Sequence, residues 1–316
     1  MPRYFLGVDG GQSSTTAMIG DENGRVLGIG RGGPCNHVSS QEARARFVTA
    51  IRAALRAACA EAGLESGPVR FASACLGFSG GPADKQAILG EILETDRMLV
   101  TDDATIALSG ALAGQSGIVI IAGTGSIAFG RNAQGRTARA GGWGYLFGDE
   151  GGGFWMVREA LRAALGWEEG WGSPTALRGI LLNSTGARNI NDLMHRCYTP
   201  EFPRPRVASL SVLVNHAAEN GDPTALKILG EAARELAVLA RAVRGQLFQT
   251  PEPIHCAYAG GVFHSLILRS RLRESLERDP GLVVSPAIHD PAVGALLEAY
   301  RAIGQFLTIR QPFPEL

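Results

Sequence analysis

The sequence predicts an α/β protein made of two similar strand-rich halves, with a ligand cleft between the copies. Three observations carry this. A short apolar run at 4–8 enters the acidic, glycine- and hydroxyl-rich turn Asp9-Gly10-Gly11-Gln12-Ser13-Ser14-Thr15. Downstream, Ile118-Val119-Ile120-Ile121-Ala122 enters Gly123-Thr124-Gly125-Ser126, which repeats the design. After each turn come further period-two strands and then segments of helical period, so both halves follow one plan.

In the first half, residues 4–9, about 15–20 and about 26–31 read as strands, with Asp21-Glu22-Asn23-Gly24 as the hairpin turn between the last two. Ser39-Ser40-Gln41-Glu42 supplies a capping box for a helix whose apolar face carries Phe47, Ile51, Leu55 and Ala58 and which ends at Gly63. Strands follow at 69–76 and 97–101, and a helix starts between them after Pro82. The second half has strands at 117–122 and 126–131, a turn near Asn132-Gly135 and a third strand before Gly141. A helical region from about 150 to 248 is broken near 170–174, 184–189 and 199–206, and its longest helix, 222–248, opens on Asp222-Pro223. Strand 254–259, a helix from about Ser265, strand 282–285 and a last helix at 291–304 complete the chain.

At 316 residues the chain is long enough for two cores. Thirty basic and thirty acidic residues cancel, which argues against nucleic acid or an anionic membrane as partner and for a small molecule. The five cysteines, 35, 59, 75, 197 and 256, form no C-x-x-C pair, as expected of reduced thiols. No apolar run reaches membrane-spanning length, and Met1-Pro2-Arg3-Tyr4-Phe5 enters a strand directly, so neither a membrane segment nor a signal peptide is expected and the location reads as cytoplasmic.

Glycine lets a main chain approach an anion, and successive N–H groups then point at its oxygens. Two such turns suggest two cradles for the phosphates of one nucleotide, hence an ATP-dependent phosphotransferase. Such an enzyme needs a carboxylate that takes the acceptor hydroxyl's proton. The adjacent Asp102 and Asp103 both follow a strand and start a helix, so one is free for this work and the other caps.

Three glycine turns in order, Asp9-Gly10-Gly11, Gly123-Thr124-Gly125-Ser126 and Ala259-Gly260-Gly261-Val262, resemble the two phosphate motifs and the adenosine motif of the actin/hexokinase/Hsp70 superfamily. The string Gly141-Gly142-Trp143-Gly144-Tyr145-Leu146-Phe147-Gly148-Asp149-Glu150-Gly151 resembles the N-acetylglucosamine kinase branch, related to the BadF/BadG-type ATPases. Cys35-Asn36-His37 is similar to the Asn-His pair with which those kinases hold their sugar. The resemblance implies duplicated ribonuclease H-like (actin-like ATPase) domains: 1–117 joined by the helix 291–304, and 118–290 carrying the helical insertion 150–248, with the nucleotide and sugar cleft between them.

It further implies ATP with Mg²⁺, which Asp9 faces through water, and phosphate contacts from Gly10, Gly11, Gln12, Ser13, Thr15, Gly123, Thr124, Gly125 and Ser126. Gly260 and Gly261 would let the adenosine lie on bare backbone. In the family the base precedes a small residue and an apolar helix, which selects Asp103. The amino sugar falls to Asn36, His37, Asp103, Asp149, Glu150 and the Gly141-Gly142 backbone, while Trp143 and Trp155 read as core or sugar-platform residues. Transfer to the 6-hydroxyl and a homodimer rest on family analogy. One departure stands out: the family often has a serine after Asp-Glu-Gly, and here Gly152-Gly153 follow, which leaves N-acetylglucosamine, glucosamine and muramyl sugars unseparated. Iron–sulfur activator ATPases need cysteines beside the glycine turns, and the repressor/glucokinase group carries a zinc motif or an N-terminal DNA-binding helix pair; neither signature is present. A nucleotide-driven switch acting on a protein partner is the competing function.

Overall fold

A computed structural model describes residues 2–35, 38, 40–64, 69–79, 84–249 and 253–309. The chain forms two compact units, Met1–Gln115 with Ala287–Leu316, and Ser116–Pro286.

In the first unit, β1 (Tyr4–Gly10), β2 (Thr15–Asp21) and β3 (Val26–Gly32) make an antiparallel meander. Helix α1 (Gln41–Glu61) follows and buries Phe47, Ile51, Ala54 and Ala58, the face expected from its period. Its N-cap is Ser40, whose hydroxyl accepts from the Ala43 N–H at 3.2 Å; Ser39, the expected head of the capping box, lies outside the described residues. Next, β4 (Arg70–Phe78) runs parallel to β1. The helix expected in the following connection is only the short α2 (Gln86–Gly90), and a strand the sequence reading omitted, β5 (Glu94–Thr95), comes before β6 (Met98–Asp102). Two residues carry too little periodicity to be read as a strand; β5 exists because it pairs with β4 at Arg70 and Phe71. Helix α3 (Asp103–Ala111) leaves directly from the end of β6.

The second unit opens with the meander β7 (Gly117–Ala122), β8 (Ser126–Arg131) and β9 (Thr137–Gly141). Five helices follow before the longest one: α4 (Gly153–Glu168), α5 (Leu177–Thr185), α6 (Ile190–Cys197), α7 (Arg204–Ser209) and α8 (Ser211–Glu219). Helix α9 (Pro223–Leu247) starts where Asp222-Pro223 predicts, with the Asp222 carboxylate accepting the Ala225 N–H at 2.8 Å. Its apolar stripe, including Leu229, Leu236, Ala240 and Val243, is buried in a core shared with Ile118, Ile120 and Ala128 of the sheet. Truncating a leucine of that stripe to alanine would cost about 2–5 kcal/mol. Strand β10 (Ile254–Ala259), a 3-10 turn at Gly261–His264, α10 (Leu266–Leu276) and β11 (Leu282–Pro286) finish the unit.

The strand orders are β3-β2-β1-β4, with β5 and β6 both pairing with β4, and β9-β8-β7-β10-β11. In each sheet an antiparallel meander adds parallel strands next to its first member. The fold is thus the duplicated α/β architecture of actin-like ATPases, as the sequence predicts.

The last helix, α11 (Pro291–Arg301), belongs to the first unit and ends three residues before the expected 304, with Gly304 in the left-handed region (φ +79°). It packs on β1 and α3. Leu296 and Tyr300 are fully buried with Phe5, and the Tyr300 hydroxyl donates to the Asp21 carbonyl at 2.6 Å. Ahead of the helix, the N–H groups of Ile288 and His289 donate to the carbonyls of Ala111 and Gly110 at 3.0 and 3.1 Å. These two bonds fix where Asp290 stands.

Candidate functional site

The first unit brings Asp9, Gly10, Gly11 and Asp103 together near the carboxyl end of β1. Gly10 closes the strand, and an added Cβ there would fall on the Phe78 ring, so this position has no room for a side chain. Gly11 is tied into the fold: its N–H donates to Ser14 at 2.9 Å and its carbonyl accepts from Cys35 at the same distance. Among the described residues, nothing accepts from the N–H groups of Gln12 and Ser13, both exposed at the tip. Those N–H groups, not that of Gly11, are available to an anion.

Thr15 departs from expectation. It is fully buried, and its hydroxyl is bonded to the Gly33 carbonyl at 2.7 Å and to Cys35 Sγ at 2.8 Å. As the first residue of β2 it takes the inward side of the strand, so it supports the turn and presents no group to a ligand. Asn36 and His37, the expected sugar pair, lie outside the described residues.

The structure separates the two adjacent aspartates. Asp102 is the N-cap of α3, its carboxylate accepting the Thr105 N–H at 2.7 Å. Asp103 is exposed, and its Oδ2 accepts the Ser79 hydroxyl at 2.7 Å. Ser79 in turn donates its N–H to the Gly10 carbonyl at 3.4 Å, so one residue links Asp103 to the first glycine turn. The sequence reading did not find Ser79. Nor did it find Asp290, which stands at the N-cap of α11 with its side chain making no cap bond. Burial, then the negative charges of Asp103 and Asp290, push the Asp9 carboxyl up to about 6. Asp9 thus feels two further carboxylates at the end of β1.

The second unit gathers a different set. The 123–126 turn has its carbonyls turned away and bonded: that of Gly123 accepts from Gly153 at 2.7 Å, that of Thr124 from Phe154 at 3.1 Å, and that of Gly125 from Gly123 at 3.0 Å. The donors from 153 and 154 are the otherwise unused first N–H groups of α4. Among the described residues, the Thr124 and Gly125 N–H groups find no acceptor, so a small two-donor nest remains. Ser126 is buried, its hydroxyl donating to the Glu150 carbonyl at 2.6 Å. Gly260 sits beside the same turn: its φ is +111°, and an added Cβ would fall on the Ala122 carbonyl oxygen, while Gly261 faces open space.

Gly141 and Gly142 also lie here, both left-handed (φ +77° and +72°), with the Gly142 N–H bonded to the Ser126 carbonyl at 2.9 Å. Trp143 is exposed, with the Arg139 guanidinium 4.2 Å from its ring centre, so of the two readings for this residue the core one fails. Trp155 is buried in the main core of the unit. Asp149 is buried in a left-handed conformation (φ +65°), an unusual one for a residue with a side chain. Its carboxylate accepts the Ser126 N–H at 3.3 Å and pairs with Arg204, and it occupies the space a Cβ on Gly125 would need. Arg204 gave no signal in the sequence, since it stands in the proline-broken stretch after 199. Gly152, the departure from the family pattern, abuts the same turn: a Cβ there would come within 2.7 Å of the Gly125 backbone.

Among the described residues no group of three or more His, Cys, Asp or Glu is arranged to hold a metal directly. No described helix is long and apolar enough to cross a membrane. All five cysteines are free, and burial raises the thiol pKa of each.

The model of the BadF/BadG/BcrA/BcrD ATPase family matches residues 6–299. Over 306 residues the chain is 32% identical to the N-acetylmuramic acid/N-acetylglucosamine kinase of Clostridium acetobutylicum, covering 94% of this chain and 98% of that one. It is 31% identical over 310 residues to the N-acetyl-D-glucosamine kinase of Dictyostelium discoideum, with coverage of 93% and 97%. A solved structure from Chromobacterium violaceum, described as an N-acetylglucosamine kinase, matches with a TM-score of 0.75 at 29% identity, covering 93% and 98% of the two chains. The ROK family glucokinase of Streptomyces griseus shares the fold, with a TM-score of 0.57 at 19% identity and coverage of 94% and 98%.

Proposed function

Since the chain belongs to the BadF/BadG/BcrA/BcrD ATPase family, we propose from its site that it is an ATP-dependent amino-sugar kinase, moving the γ-phosphoryl group of ATP to a hydroxyl of N-acetylglucosamine or a close relative. The observation that carries the proposal is the division of labour at 102–103. Asp102 is spent on capping α3, whereas Asp103 presents an exposed carboxylate whose orientation Ser79 sets.

In this reading Asp103 accepts the sugar hydroxyl's proton at its free oxygen as the oxygen attacks phosphorus, and the Ser79 hydrogen bond holds the carboxylate in one rotamer. The N–H groups of Thr124 and Gly125 would take oxygens of the phosphate chain, as would those of Gln12 and Ser13. The open backbone at Gly261, beside Gly260, suits the adenosine, and Trp143 offers an exposed face to a sugar ring. Asp149 is committed to Ser126 and Arg204, so its part is to support the turn.

Asp9 fits a magnesium ion held largely through water, because it is one part-buried carboxylate at a strand end whose charge its neighbours oppose. Bound there with the nucleotide, the ion would supply positive charge against the β- and γ-phosphates. Five free thiols, three of them fully buried, suit a reducing cytoplasm.

The test is ADP release from Mg-ATP with N-acetylglucosamine, glucosamine, N-acetylmuramic acid, glucose and no sugar. Turnover that depends on an amino sugar is expected. ADP release indifferent to every sugar would overturn the reading and favour a nucleotide-driven switch.

A further inference from the structure

Three pieces of the proposed site in the second unit converge on Arg204. Its guanidinium pairs with Asp149, the carboxylate that bonds the Ser126 N–H and fills the space over Gly125. The same guanidinium lies 5.2 Å from the ring centre of Tyr145, in the glycine-rich 141–151 loop, and 5.8 Å from that of Phe154. Tyr145 and Phe154 in turn meet edge to face at 5.3 Å, and the Phe154 N–H donates to the Thr124 carbonyl. A planar guanidinium can pair with a carboxylate through its N–H fork while it lies against neighbouring aromatic rings; a compact ammonium matches that arrangement less well.

We propose that Arg204 is a positioning residue for nucleotide binding. It acts through Asp149 and Phe154 to hold the 123–126 turn with its N–H groups outward and its carbonyls bonded behind. Asp149 makes this dependence sharp. It is buried and held in a left-handed backbone, a costly conformation that surrounding contacts must maintain. Without Arg204 its charge would lie buried against the backbone with the Ser126 N–H as its remaining donor among the described residues. The carboxylate would then turn toward water, leaving the space over Gly125, and the turn would lose its backing. This inference rests on the reading of 123–126 as a phosphate turn.

The test measures ATP binding directly, by calorimetric titration with a non-hydrolysable ATP analogue and Mg²⁺, beside steady-state kinetics with N-acetylglucosamine. The proteins compared are wild type, Arg204→Met, Arg204→Lys, Asp149→Asn and the double variant Arg204→Met/Asp149→Asn. Expected are an affinity loss of about tenfold for Arg204→Met, a matching rise in the KM for ATP, little change in the KM for the sugar, and only partial rescue by lysine. The double variant should be no worse than the worse single one, because the two residues act as a unit. A purely structural role would lower the active fraction and leave the affinity of the folded protein unmoved, and that result overturns the proposal. Unaltered affinity in both Arg204→Met and Asp149→Asn overturns it as well. Nucleotide binding that responds to Arg204 in a protein without sugar-dependent turnover would sink the kinase reading and leave this one standing. A wild type that binds no nucleotide would overturn both.

Discussion

The two glycine turns look alike in sequence and are built differently. The turn after β1 lies among carboxylates: Asp9 is pushed up to about 6, and Asp103 and Asp290 lie near enough to contribute. The turn after β7 is backed by a helix N-terminus and an ion pair, which turn its carbonyls inward and leave the Thr124 and Gly125 N–H groups outward. One strand-and-turn device thus serves two ends. The acidic copy adds a place for a cation and a proton acceptor to its spare Gln12 and Ser13 N–H groups; the other copy offers the Thr124 and Gly125 N–H groups without such carboxylates, which suits phosphate oxygens. What differs is the support behind each turn, and that support comes from residues distant in sequence.

The comparison breaks most directly at Asp103. Asp103→Asn should lower kcat by about 10²–10⁴-fold while the KM for ATP moves little, since the proposed role of this carboxylate is on the proton and not on the nucleotide. Loss of ATP binding in that variant would erase the distinction. Next comes Gly125→Ala, which places a methyl group on the Asp149 carboxylate. About a hundredfold loss in kcat/KM for ATP is expected from so small a displacement of the turn.

Asp9 sharpens the contrast through pH. Its folded-state pKa, about 6, lies above the ordinary 3.8, so between these values the folded protein holds more proton than the unfolded chain. Stability from this carboxyl is therefore present at acid pH, falls as pH rises through that window, and stays low above about 6. Metal-free Asp9→Asn should be more stable than wild type at pH 7.5, by on the order of 3 kcal/mol at most, with the gain disappearing near pH 4. Urea unfolding in a chelator across pH 4–8 measures it. The smallest effect belongs to Asp102→Ala, a lost helix cap worth about 1 kcal/mol, with kinetics near those of wild type.

These residues also mark how far the sequence could be read. Glycines and hydroxyls after an apolar strand form a local pattern, so both turns, the capped start of α9 and the duplicated plan were legible. The pair Asp102-Asp103 narrowed the candidate base to two positions and the family resemblance selected Asp103, while the hydrogen bond from the Thr105 N–H is what assigns the cap to Asp102. Thr15 misled because a turn hydroxyl can face a ligand or the core, and its place at the start of β2 turns it inward to Gly33 and Cys35. Ser79 and Arg204 were invisible, since their partners lie 24 and 55 residues away and no spacing rule reaches that far. Asp290 was hidden for the same reason: its place is set by the bonds from 288 and 289 to the end of α3.

The most direct measurement sets ATP affinity against turnover in Asp103→Asn and Gly125→Ala, side by side with wild type and N-acetylglucosamine. If the two turns divide the work as described, Asp103→Asn binds ATP like wild type and barely turns over, and Gly125→Ala loses affinity first. Affinity lost in Asp103→Asn and kept in Gly125→Ala would contradict that division.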